Sequence, residues 1–316
     1  MNNFAPVFIP TLNRHEHFKR CVESLSKCAH AEKTDLFIFL DYPLKDSHWE
    51  GYEHTKAYLP GIKGFNKVTV IARERNYGAV DNFFKSVEYL FKRYDRLICS
   101  EDDNVFAPDF LFFVNKGLDV YKNREDIFSV SGYQYPIEMP GNYDKEVYLW
   151  QGFSAWGVGI WKDKWEKVDF QLPGALSNIR LFLKNYKDVY GFQKIANHYL
   201  SAMITMLEKN KVSGDGTVCL HQYVNSMYSV FPTISRVRNM GHDGSGTGCG
   251  IMEDDIFAKQ ELYSAAQDYN LPVAIKSDTY INHIMSRHFK IPAKSKIKIF
   301  AKLLLVNAGL WPKRLQ

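Results

Sequence analysis

Glu101, Asp102 and Asp103 stand in a row directly after RLICS (96–100), a short apolar run with the composition of a buried β-strand. Acids at the carboxyl end of a strand suit a divalent ion that must also hold a diphosphate. Mg²⁺ or Mn²⁺ takes one or two protein oxygens and completes its octahedron with phosphate and water. Such an ion offsets the charge that develops on a departing nucleoside diphosphate. A row of acids is also a common solvated surface, and the chain supplies its own comparison. Glu253-Asp254-Asp255 repeats the triplet ahead of IFAKQELYSAAQ (256–267), where it reads as negative charge at a helix start.

Two further segments carry chemical potential. GHDGSGTGCG (241–250) has five glycines among small hydroxyl residues, so its backbone N–H groups are expected to close over a diphosphate as a lid, with Asp243, Gly244 and Ser245 at its centre. An ordinary surface loop is the alternative. YLWQGFSAWGVGIWKDKW (148–165) is dense enough in aromatic rings to stack on a sugar. Trp161 and Trp165, spaced i,i+4, are expected to pack inward as a helical pair. Trp156, between small residues, is the acceptor-site candidate.

The elements that would position these residues are legible in the first 135 residues. Apolar, β-rich runs PVFIPT (6–11), LFIFL (36–40), KVTVIA (67–72), RLICS and IFSVSG (127–132) alternate with amphipathic stretches such as HFKRCVESLSKC (17–28) and DNFFKSVEYLFKRY (81–94). That alternation predicts an α/β fold, a Rossmann-like parallel sheet wrapped by crossover helices. Ligands of such sheets lie outside the carboxyl ends of the strands. The residues there are polar: Arg14, Asp41, RERNYG (73–78) and the first acidic triplet. Three helices are expected between the aromatic block and about residue 228.

Composition sets the class. The 316 residues are 46% hydrophobic and 24% charged, which supports a folded core and excludes a disordered or collagenous chain. Five cysteines without a CxxC pair suggest neither a disulfide framework nor structural zinc, and a reducing compartment is expected. The N-terminus shows no basic region followed by an apolar run, so a cytoplasmic location is expected. The net charge of +5 is unevenly held: residues 279–316 carry eight cations and no acid, leaving 32 basic against 35 acidic residues elsewhere. A nucleic-acid reader would spread its cations over a surface, so no nucleic-acid partner is expected. On a helical wheel over 293–308, Ile297, Phe300, Ala301, Leu304 and Ala308 share a face beside a stripe of Lys294, Lys298 and Lys302. That pattern fits a helix lying peripherally on an anionic membrane, or one packed on the protein's own core.

ICSEDDNVFAPDFLFFVNKGLDVY (98–121), with PTLNR (10–14), the aspartate of LFIFLDYP (36–43) and ISRVRNMGHDGSGTGC (234–249), resembles the GT-A glycosyltransferases, especially the N-acetylglucosaminyltransferase I group and related bacterial polysaccharide enzymes. The resemblance implies transfer of a sugar from a UDP-sugar, with Mn²⁺ or Mg²⁺, to a glycan or lipid-linked glycan acceptor. It implies that Asp103 ligates the metal, Asp102 contacts the ribose or a metal-bound water, and Glu101 holds Arg14. It further implies that Asp41 receives the N3–H of uracil and that Pro10 and Thr11 floor the nucleoside. His242 is implied as a further metal or phosphate ligand, although a lone histidine is more often simply exposed. Asp215, in SGDGTVCLHQYVNSMYSVFP (213–232), is implied as the base of an inverting reaction. Its glycine neighbours depart from the family pattern, and a helix-capping aspartate is the alternative. The expected organisation is a donor half (1–135), an acceptor and catalytic half (136–250) and a basic helical tail (251–316). A metal-dependent nucleotidyltransferase and a non-catalytic carbohydrate- or membrane-binding protein are the rival readings.

Overall fold

The computed structural model describes residues 4–246, 250–263 and 271–310. The first part alternates β1 (Val7–Thr11), α1 (His15–Ser26), β2 (Asp35–Leu40), α2 (Trp49–Tyr58), β3 (Lys67–Ala72), α3 (Gly78–Leu90) and β4 (Arg96–Cys99). It continues through β5 (Asn104–Phe106), α4 (Phe110–Val120) and β6 (Ile127–Ser131). The second part adds β7 (Val147–Trp150), β8 (Val158–Trp161), the single turn α5 (Lys162–Trp165), α6 (Gly174–Leu183), α7 (Tyr186–Gln193), α8 (Asn197–Lys209) and α9 (Gly214–Val224). The strands β9 (Tyr228–Pro232) and β10 (Val237–Asn239) follow, and α10 (Thr279–His288) and α11 (Ala293–Asn307) complete the described elements.

Eight strands form one sheet in the order β3-β2-β1-β4-β8-β6-β9-β7, and β5 pairs with β10 in a separate antiparallel ribbon. Strands β3, β2, β1 and β4 are mutually parallel, whereas β8 runs antiparallel to both β4 and β6. The two-residue period of a strand sends alternate side chains to opposite faces. Val7, Ile9, Leu36, Ile38, Leu40 and Ile98 accordingly join one core, under α1 and α4, and Phe8, Phe37, Phe39, Leu97 and Cys99 join the other. Strands buried on both faces read as continuous apolar runs, which is why these were visible in the sequence. Helix α1 buries Phe18, Cys21, Val22 and Leu25, a stripe at helical spacing. The α/β sheet with flanking helices expected from the sequence is the fold that forms.

Five expectations need correction. The stretch before residue 228 holds four full helices, α6 to α9, rather than three. The aromatic block begins in one strand and crosses a loop into another: Tyr148 and Trp150 lie in β7 with no exposed surface. Trp161 and Trp165 are both buried but not as a helical pair, because Trp161 ends β8 and joins one core while Trp165 closes α5 and joins the other. The second acidic triplet starts no helix among the described residues; Asp255 Oδ1 accepts from Phe257 and Ala258 N–H and closes a turn, and 264–270 lie outside the description. Helix α11 packs on α8 and α6 through Ile299, Leu303 and Val306, not through the face that the wheel drew.

Candidate active site

Strand β1 ends at Thr11 and β4 at Cys99, so parallel pairing brings their carboxyl ends side by side and sets Arg14 against the first acidic triplet. The Thr11 hydroxyl donates to Asp102 Oδ2 at 2.8 Å, and Arg14 Nη2 contacts Asp102 Oδ1 and lies 2.8 Å from Asp103 Oδ2. All four side chains are largely buried. Burial alone would lower the Arg14 pKa, but the charges of Asp102 and Asp103 outweigh it and raise it, so the guanidinium stays charged. Burial raises the Asp102 carboxyl against the pull of Arg14.

Glu101 does not pair with Arg14, which corrects the expectation carried by the resemblance. Its Oε2 accepts from Trp156 Nε1 at 3.1 Å at the cleft wall, although the residue as a whole keeps exposed surface. Loss of water around it, followed by the charges of Asp103, Asp215 and Asp102, pushes it up to about 8. Asp215 sits in the first turn of α9 and keeps exposed surface, while the protein packed around it displaces part of its water and pushes its carboxyl up to about 6. Its charge acts on Glu101 and on Tyr135, so α9 turns Asp215 toward the same cleft. Ser213, not Asp215, holds the capping position of that helix.

Asp41, after β2, is 3% exposed and its carboxylate is largely occupied. Oδ1 accepts from Tyr42 and Tyr77 N–H, and Oδ2 from Gly78 N–H at 2.8 Å and from Asn76 Nδ2 at 3.4 Å. The carboxylate thus holds the start of α3, and the bond to Asn76 is the longest of the four. Asp41 N–H in turn donates to the Thr11 carbonyl, while Pro10 pairs with Phe39 inside the sheet.

The β5–β10 ribbon supplies residues that sequence reasoning did not single out. Asn239 Nδ2 donates to Asp103 Oδ1 at 2.7 Å and Asn239 Oδ1 accepts from Gly241 N–H at 2.9 Å. Met240 N–H donates to the Asp103 carbonyl. A Cβ on Gly241 would overlap Asp103 Oδ2, so this glycine makes room for the carboxylate. Both residues lie in RVRNMGHDG (236–244), whose glycines drew attention while the asparagine two places ahead did not. The lid candidates follow directly. Asp243 Oδ2 lies 2.8 Å from His17 Nε2 on α1, and Ser245 donates its N–H and hydroxyl to Asp243 Oδ1. Gly244 takes a left-handed φ of 82° at this turn, and Gly246 lies against the Arg14 guanidinium. Positions 247–249, including Cys249, are outside the described residues.

His242 is mostly buried, stacked on Phe257 at 4.5 Å and edge-on to Trp156 at 5.8 Å. Its Nδ1 makes no hydrogen bond and lies 3.9 Å from Asp255 Oδ1. The second acidic triplet therefore borders the site instead of standing apart from it. Trp156 is half-buried, wedged between Tyr133, His242 and Phe257.

A divalent ion fits this donor set. Asp102, Asp103 and Asp215 oppose one guanidinium, an excess of negative charge that also holds the Glu101 proton and that a cation relieves. Each oxygen of Asp103 meets a single donor and keeps a lone pair for monodentate ligation. Among the described residues no three His, Cys, Asp or Glu side chains form a complete shell, so such an ion would draw its remaining ligands from phosphate and water.

No family model and no curated protein matches the chain. Among solved structures it is similar to a Pyrobaculum calidifontis mannosyltransferase with GDP-mannose and Mn²⁺, at 12% identity over 50% of this chain and 44% of that one, TM-score 0.35. It is also similar to GalNAc-T7 with UDP, GalNAc and Mn²⁺, at 11% identity over 75% and 44%, TM-score 0.44. A third likeness is to S. aureus TarS, at 12% identity over 49% and 28%, TM-score 0.34. Two of the three hold Mn²⁺ with a nucleotide or nucleotide-sugar. The chain spans less than half the length of each of these proteins, and the functional argument rests on the site's own geometry.

Proposed function

We propose that the protein is a metal-dependent, inverting glycosyltransferase that moves a sugar from a UDP-sugar to a hydroxyl of a glycan or lipid-linked glycan. The observation that carries this reading is the meeting of Asp102, Asp103 and Arg14 at the carboxyl edge of β1 and β4, where Glu101 follows β4 and feels the charge of Asp215. Asp103, held by Asn239 and Arg14, is the metal ligand in this reading, and His242, whose Nδ1 makes no hydrogen bond and lies 3.9 Å from Asp255 Oδ1, is the further ligand candidate. When bound, Mn²⁺ or Mg²⁺ neutralises charge on the departing diphosphate. Asp102 fixes Arg14 and Thr11 and faces the ribose. Asp41 meets the base by exchanging the long Asn76 bond for the N3–H of uracil. The segment 243–246, hinged on His17, covers the diphosphate from the side of Arg14.

Asp215 takes the proton from the acceptor hydroxyl as that oxygen attacks the anomeric carbon from the face opposite the leaving group. Its pKa of about 6 leaves it ionised at neutral pH while close enough to the working pH to accept a proton. Trp156 offers a ring face to the acceptor, and its indole N–H fixes Glu101 at the cleft wall.

Calorimetric titration with UDP and GDP, with and without Mn²⁺, tests this reading. Wild type should bind UDP only with the ion, and Asp103→Asn should lose that binding while melting like wild type. Asp255→Asn, which changes a residue beside His242 at the border of the site but removes none of the Asp103 contacts, should retain it. Metal-independent binding, or Asp103→Asn binding at full strength, removes the metal assignment. Release of pyrophosphate on turnover would make the protein a nucleotidyltransferase instead.

A further inference from the structure

Helix α11 is apolar on two opposite sides. Ile299, Leu303 and Val306 face inward, against α8 and α6, and Asn307 Nδ2 bonds the Leu183 carbonyl at 3.1 Å to fix the end of the helix. At 100° per residue, Ile297, Phe300, Ala301 and Leu304 fall on the far side. There Ile297 is 68% exposed, Phe300 58% and Leu304 47%. A helix that is hydrophobic all round is normally covered all round. The protein's core has one side and leaves the other uncovered.

The charges around the uncovered ridge indicate what covers it. Lys294 and Lys298 flank it on one edge, and Lys290, Arg287 and Lys296 are exposed nearby. No acid occurs between 279 and 316. The one described ion pair of α11, Lys302 with Glu208, lies toward the packed side. A second copy docking through this ridge would bring the same cations face to face, an arrangement that costs affinity. An anionic lipid surface accepts both features at once, apolar side chains below the headgroups and lysines among them.

We propose that the outer face of α11 seats the protein on an anionic membrane surface, with Ile297, Phe300 and Leu304 inserted and Lys294 and Lys298 on the headgroups. The helix lies along the surface: among the described residues no helix is long and apolar enough to cross a bilayer. Helix α8, which α11 packs against, also packs against α9, so the Asp215 half of the cleft is the part this docking fixes relative to the membrane. The inference stands apart from the catalytic reading, because it uses none of the cleft residues.

The test is cosedimentation of the full chain with vesicles of phosphatidylcholine alone and of three parts phosphatidylcholine to one part phosphatidylglycerol. The wild type should sediment with the anionic vesicles and not with the neutral ones. Binding should weaken as salt rises and the screening length falls from about 10 Å at 0.1 M to about 3 Å at 1 M. Phe300→Ser with Leu304→Ser, and separately Lys294→Gln with Lys298→Gln, should each lower partitioning about tenfold or more. These side chains are exposed, so both variants should keep the wild-type melting temperature and UDP titration, whatever that titration shows. Equal sedimentation by the variants, or no sedimentation by the wild type at low salt, overturns the proposal. So does a concentration-dependent dimer in sedimentation velocity that the Phe300 and Leu304 changes abolish.

Discussion

Asp215 and Asp103 are both carboxylates of one cleft, yet their surroundings give them different work. Asp103 is tied to Asn239 and Arg14, a setting that holds a fixed charge. No hydrogen bond ties the Asp215 side chain among the described contacts, and loss of water alone pushes it up to about 6. A group poised in this way suits proton transfer. Asp215→Asn should therefore lower kcat by about 10²-fold with little change in KM for the donor. In the wild type, a base must be ionised, so kcat/KM should fall about tenfold per pH unit below about pH 6, and that limb should vanish in the variant's residual rate. Steady-state kinetics across pH 5 to 8 reads both (about three pH units, centred on the base). A collapse of donor affinity in Asp215→Asn would instead place the residue at the nucleotide.

At the scale of elements, the ribbon of β5 and β10 is what converts a strand end into a site. Strand β4 ends in the acids, β5 starts directly after them, and β10 returns to lay Asn239 and Gly241 against Asp103. The parallel strands β1, β2 and β4 were legible because burial on both faces makes them continuous apolar runs. The three-residue β5 and β10 were not legible, since NVF and VRN are too short to show a period. The same limit explains the aromatic block, where the spacing of Trp161 and Trp165 spans a strand end and a helical turn and only imitates a helical pair. It explains Glu101 as well. A row of three acids after a strand suggests a cation site, but which of them Arg14 takes depends on the turn after β4. Gly241→Ala tests the ribbon's part. The added methyl forces the Asp103 carboxylate or the 241–246 backbone aside, a strain on the order of 1–3 kcal/mol. UDP affinity in the presence of Mn²⁺ should fall about tenfold or more while the melting temperature moves little. Unchanged affinity would mean that the loop shifts freely and that Asp103 does not depend on it.

For the whole molecule, the sheet and its two cores decide how the halves cooperate. β4 hydrogen-bonds to β8 from Arg96–Trp161 to Cys99–Val158, so a strand from beyond residue 135 completes the sheet of the first half. Both cores also cross that boundary. One unites Phe8 and Phe39 with Tyr148, Trp150 and Met203, and the other unites Val7 and Ile9 with Val147, Trp161 and Val237. Dividing the chain at 135 would expose the β4 edge and strip apolar partners from both faces, each buried large side chain being worth about 1.5–3 kcal/mol. The full chain should then unfold in a single transition in which tryptophan fluorescence, reporting Trp150, Trp161 and Trp165, coincides with far-ultraviolet circular dichroism. Residues 1–135 expressed alone should show no cooperative melt and should expose enough apolar surface to bind a hydrophobic dye. Two separated transitions, or a cooperative melt of the isolated first half, would establish that the donor side is a domain in its own right and that the cleft forms between independently folding units.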